Sequence, residues 1–178
     1  NKMLFKLHSM DEKFKEAERA KLRIQNDLRE INSSTYLDSM SRVKISDVYH
    51  FVREEKFCIF ANIESSQGSS FFYGKKGMYF TIILDYNFPY SFPLIHHYLY
   101  NSPDFISNIT DTKGFVNLEF SQKSDWNPTI TIHKLISMLS IFIINNYVAN
   151  SNNPKSLKIS DYNTSTSPLN NNKVELKL

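Results

Sequence analysis

One cysteine and five histidines are the side chains of this chain best suited to nucleophilic or metal chemistry. Cys58 lies between Phe57 and Ile59 inside the apolar run FCIFANI. A thiol in such a strand interior has little access and no basic pair nearby to lower its pKa. Buried cysteine behaves as a small hydrophobe, so Cys58 reads as structural. A single cysteine also excludes an intrachain disulfide and any multi-cysteine metal site. His8, His50, His96, His97 and His133 contain no i,i+4 pair of the zinc-helix kind, and His96 and His97 on a strand point to opposite faces. No metal site is expected. Sequence order leaves a Ser-His-Asp arrangement open, but no GxSxG elbow supports one. Four glycines leave little material for a phosphate-cradling loop, and no cofactor is expected.

The 178 residues suit one compact domain. An apolar share of 41%, with 14 Phe and 10 Tyr, supplies a core and excludes disorder throughout. No window of eighteen successive apolar residues marks a membrane span. The net charge of +3 is mild, and residues 1–31 mix eight Lys/Arg with six Asp/Glu. That mixture fits a solvated, salt-bridged helix face and not a nucleic-acid surface. The first residues carry neither a secretory nor a mitochondrial-type pattern. With one cysteine, a cytoplasmic or nuclear setting is expected.

The elements that must position any site follow in order. Residues 1–10 read as a flexible apolar and basic arm. Asp11 can cap a long helix on which Phe14, Ala17, Lys21, Ile24, Leu28 and Ile31 recur at spacings of three and four. The helix should stop near Asn32-Ser33-Ser34. Strand patterns cover residues 42–45, 57–63, 78–84 and 95–100, joined by turns that suggest an antiparallel meander. Pro89 and Pro93 bracket an irregular crossover, residues 101–130 read as a long loop, and Thr131 to Tyr147 reads as a second helix. The class is α+β, with the domain spanning residues 11–148. Residues 149–178 form a polar Asn/Ser-rich tail with few large side chains to bury, which reads as loose or disordered; the alternative is a short contact strand from Leu169 and the alternating end, VELKL.

Taken in order, several short motifs resemble those of the ubiquitin-conjugating enzymes over roughly residues 20–148. Arg23-Ile24-Gln25-Asn26-Asp27-Leu28-Arg29-Glu30 is similar to an "RI…DL.E" first helix, and Tyr73 to Gly77 to an altered "Y.GG.F". Phe88 to Pro93 is similar to a "YPF.PP" crossover, and Asp125-Trp126-Asn127-Pro128 to the "W.P…TI" that leads into a helix. The subtype it most resembles conjugates the Nedd-type modifier: Leu4-Phe5-Lys6-Leu7 and Leu22-Arg23-Ile24-Gln25-Asn26-Asp27 match "LFSL" and "LRIQKD". That resemblance implies that Phe5 and Leu7 anchor the activating enzyme of ubiquitin or the Nedd-type modifier; the alternative is that they fold back on their own domain. It implies ligase-like contacts for Tyr90, Phe92, Trp126 and Pro128, with Trp126 alternatively a core residue. The family's last two helices have no match in residues 149–178.

The departures fall on the chemistry. Against "HPNI…G.ICL" the chain has Ile106-Ser107-Asn108-Ile109 and Gly114-Phe115-Val116-Asn117-Leu118. Asn117 stands where the family keeps its nucleophilic cysteine, and an amide can neither attack nor leave as a thiolate does. Asn108 matches the family's loop and oxyanion asparagine, but one extra residue separates it from position 117. No Asp or Glu occurs between Trp126 and Ser160, so the family's acidic residue is missing too. Three readings follow. The favoured one is a catalytically inactive variant that binds a modifier, its activating enzyme, a ligase or an active conjugating enzyme. The others are an active transferase whose nucleophile at position 117 was substituted, and an interaction scaffold outside the pathway.

Overall fold

The computed structural model describes residues 2–29, 31, 35–36, 41–65, 77–97, 107–119, 126–148, 151 and 153–158. The helix α1 (Lys2–Leu28) is built from good helix formers, and Ala17, Ala20 and Ile24 carry its buried face. Three expectations are corrected here. Asp11 lies inside α1 and caps nothing, because the helical backbone already runs from Lys2. Phe14 is 65% exposed, since every residue from Met10 to Lys15 is exposed and, among the described side chains, the first buried one is Ala17. Lys21 is exposed as well, and Ala20 takes the tight approach to the core that the stripe had assigned to larger residues.

Among the described residues, the sheet is antiparallel with order β1-β2-β3-β4-β5. Its strands are β1 (Thr35–Tyr36), β2 (Ser41–Phe51), β3 (Lys56–Ser65), β4 (Met78–Asp85) and β5 (Leu94–His97). The four expected strands form the meander, and the two-residue β1 extends its edge. β2 outruns its expected four residues because a bulge at Ser46 lets pairing resume, with Ile45 opposite Ala61 and Asp47 opposite Phe60. Residues 98–100 of the fourth expected strand lie outside the described residues.

The strand period of two sorts β3 cleanly. Phe57, Ile59, Ala61 and Ile63 are buried, and their neighbours point to the opposite face. The same core takes Phe80, Ile82 and Leu84 of β4, and Leu135, Ile136, Leu139 and Ile143 of the second helix, α2 (Ile132–Asn146). Thr131 caps α2 by accepting the Lys134 N–H, at 3.1 Å. Among the described residues no helix follows α2. Leu157, nine residues past the expected domain boundary, is 2% exposed and part of the core. The VELKL end lies outside the described residues.

Candidate functional site

The Arg23–Asp27 pair sets the frame. Four residues apart on α1, they share a helix face, and Arg23 Nε donates to Asp27 Oδ1 at 2.9 Å. Arg23 Nη2 reaches the carbonyls of Pro128 (2.9 Å) and Ile130 (3.2 Å), and its guanidinium lies 5.9 Å from the Phe88 ring centre. The buried Asp27 carboxylate also accepts the Ile132 N–H at 3.0 Å, satisfying an orphan donor at the start of α2. One ion pair therefore fixes where α2 begins.

The crossover hangs from the same joint. Asp85 Oδ1 accepts from Asn87 N at 2.9 Å and from Ser91 Oγ, closing the turn after β4. Phe88 is buried, and Trp126 Nε1 donates to the Pro89 carbonyl at 2.6 Å. Trp126 is 7% exposed, so its ring belongs to the interior and holds the crossover in place. Of the residues assigned to ligase-like contacts, Tyr90 is 78% exposed, while Phe92 and Pro128 are half-buried and Phe92 packs on the core. Phe5 and Leu7 lie on the first turns of α1, but their side chains are outside the described residues.

Residues 107–119, expected to be loop, form a small hairpin. Asp111 Oδ1 accepts from Lys113 N (2.8 Å) and Phe115 N (2.9 Å), an Asx-type turn. Gly114 takes φ 86°, a left-handed value open to glycine. Val116 N donates to Ile95 O and His97 N to Gly114 O, both at 2.8 Å, which docks the hairpin on β5. His96 stacks edge-on against Phe115 at 4.9 Å, and its Nε2 lies 3.0 Å from the Lys113 carbonyl.

Asn108 and Asn117 sit at the two ends of this hairpin. Asn108 is 4% exposed; its Nδ2 donates to Asn146 O at 2.6 Å and its Oδ1 accepts Val148 N at 2.8 Å. Both arms of that amide hold the hairpin to the end of α2. Asn117 donates its backbone N–H to Ile109 O at 3.1 Å, and its Nδ2 to Lys155 O at 3.2 Å. Residues 153–158 run alongside, with Leu157 N donating to Asn117 O at 2.8 Å and Glu119 N to Leu157 O at 3.0 Å. This flanking segment escaped sequence reasoning. Its one signal was Leu157, the sole large apolar side chain between Val148 and Ile159.

Cys58 is elsewhere. It occupies β3 opposite Tyr49 and Ile83, on the face turned away from the buried Phe57 and Ile59. The expectation of a core position is corrected: the thiol is half-buried on the outer face. Desolvation still pushes its pKa up, against a weaker pull from Lys56. The net effect disfavours the thiolate.

No protein-family model matches the chain, and no curated protein matches it. Among solved structures, Ubc12 of S. cerevisiae is similar over 85% of this chain and 78% of its own, with a TM-score of 0.53 and 16% sequence identity. At that identity the likeness speaks for architecture alone. The architecture is that of the ubiquitin-conjugating-enzyme fold.

Proposed function

We propose that this chain is a non-catalytic conjugating-enzyme variant that works by binding. It holds a ubiquitin-like modifier, its activating enzyme, a ligase or an active conjugating partner in the cytoplasm or nucleus. The observation that carries the reading is Asn117 at the position the family motif gives to its nucleophile, in a chain with this fold. Thioester exchange needs a polarisable sulfur that attacks and leaves, and an amide nitrogen bound to a carbonyl does neither. Cys58 cannot substitute, since it lies on the outer sheet face in a different strand.

The finer reading is a Nedd-type pathway, supported by the Leu4-Phe5-Lys6-Leu7 and Leu22 to Asp27 resemblances. Phe5 and Leu7 are then the anchors for the activating enzyme, and Tyr90 is the exposed aromatic of the crossover that meets a ligase. Phe92 and Pro128, both half-buried, add to that surface, and Trp126 supports it through its bond to the Pro89 carbonyl.

The test is a charging assay with ATP, each modifier and its activating enzyme, resolved with and without reductant. The wild-type chain should form no thiol-sensitive adduct; such an adduct would overturn the reading. Pull-down with the purified activating enzymes, repeated after removal of residues 1–10, tests the docking. Retention that survives the truncation removes Phe5 and Leu7 as anchors. Failure to bind any activating enzyme or modifier removes the pathway.

A further inference from the structure

We propose that residues 153–158 form a latch closed over the 107–119 hairpin, and that the Asn117 side chain is its catch. The latch lies along the hairpin as a short parallel partner, bridged at Leu118 and Leu157. Main-chain bonds hold it at three places: Lys155 N to Asn108 O at 2.7 Å, Leu157 N to Asn117 O at 2.8 Å, and Glu119 N to Leu157 O at 3.0 Å. Lys158 and Glu119 pair across its far end at 3.2 Å, both about half exposed. Only Leu157 enters the core, while Asn153, Pro154, Lys155 and Lys158 are exposed.

A segment anchored by one apolar side chain and a few surface hydrogen bonds belongs to the low-stability end of a fold and opens locally. In that setting one more hydrogen bond matters. Asn117 Nδ2 reaches the Lys155 carbonyl at 3.2 Å, the side-chain bond that ties position 117 to the latch. Because Asn108 is held to Asn146 and Val148, the hairpin beneath is fixed and the latch is the part that moves. A thiol at position 117 has no comparable donor. The residue at the family's nucleophile position thus has a mechanical task in this chain. This inference is independent of any modifier pathway and is tested on the chain alone.

Amide hydrogen exchange on the full chain reads the latch directly. In Asn117→Ala and Asn117→Cys, the amides of Lys155, Leu157 and Glu119 should exchange about three- to tenfold faster, the size of one net hydrogen bond. Amides of β3 and β4 should keep their wild-type rates. Unchanged rates at Lys155 and Leu157 in both variants would overturn the proposal. So would a uniform rise over the whole chain, which would make Asn117 a general stability residue and not a catch. Leu157→Ala supplies the second measure: it should open the same three amides further than either Asn117 variant. An effect of Leu157→Ala that leaves Lys155 and Glu119 untouched would equally overturn a latch that opens as a unit.

Discussion

Two joints hold this domain together at the ends of α2, and they are made differently. At its start, an ion pair on α1, its carboxylate buried and its guanidinium half-buried beside Phe88, gathers the Ile132 amide and the Pro128 and Ile130 carbonyls, while Trp126 holds the crossover through the Pro89 carbonyl. At its end, two asparagine amides stitch the hairpin to the α2 terminus and to residues 153–158. The first joint matches the motif of the family this chain resembles. The second is assembled from neutral amide side chains and main-chain groups, which bond but carry no charge. The two ends of one helix are therefore secured by different chemistry, charge packed into the core at one and neutral amides nearer the surface at the other.

The largest effects should come from the first joint. Trp126→Ala removes a large buried ring and the bond to Pro89, at a cost of about 3–5 kcal/mol. Asp27→Ala leaves the half-buried Arg23 guanidinium and the Ile132 amide without their carboxylate. Because Arg23 keeps some solvent contact, about 2–3 kcal/mol is expected. Urea unfolding measures both. A loss below 1 kcal/mol in either would remove the claim that this joint is the stronger of the two.

The second joint should fail more gently, and its two asparagines should differ. Asn108→Ala strips two bonds from a buried site and leaves the Asn146 carbonyl and Val148 amide unmet, which costs about 2 kcal/mol. Asn117→Ala removes one bond at a half-exposed site and should cost about 1 kcal/mol or less. Equal losses in urea unfolding would mean that the latch is as much part of the frame as the hairpin beneath it.

The same contrast decides what could be read from the sequence. Arg23 and Asp27 stood out as parts of the "RI…DL.E" run, although their pairing did not, and the strands were visible because Phe57, Ile59, Ala61 and Ile63 alternate with outward residues. α2 was legible almost to its ends. The hairpin was not, although Asp111 and Gly114 are turn-type residues, because its pairing to β5 runs through main-chain bonds from Val116 N to Ile95 O and from His97 N to Gly114 O. The latch was hidden for a related reason: the Asn117–Lys155 bond joins residues 38 apart through a main-chain carbonyl. Ser46 concealed the length of β2, since one bulged residue breaks the period that would have extended it. Phe14 misled in the other direction. Its spacing fits the buried stripe, but the core does not reach it.

Cys58 offers the smallest effect and the sharpest check on where reactivity is absent. The thiol is half-buried beside Tyr49 and Ile83, and loss of water around it disfavours the thiolate. Lys56 pulls the other way but is the weaker influence, so the net direction is upward from the usual thiol value. At neutral pH the reactive thiolate is then scarcer than in a free cysteine. Iodoacetamide labelling should run slower than for a free thiol, and its rate should go on climbing at pH values where a free thiol has levelled off. Labelling that is fast and flat near pH 7 would mean an activated sulfur on the outer face of the sheet. Reactive chemistry would then sit in the region that geometry gives to packing.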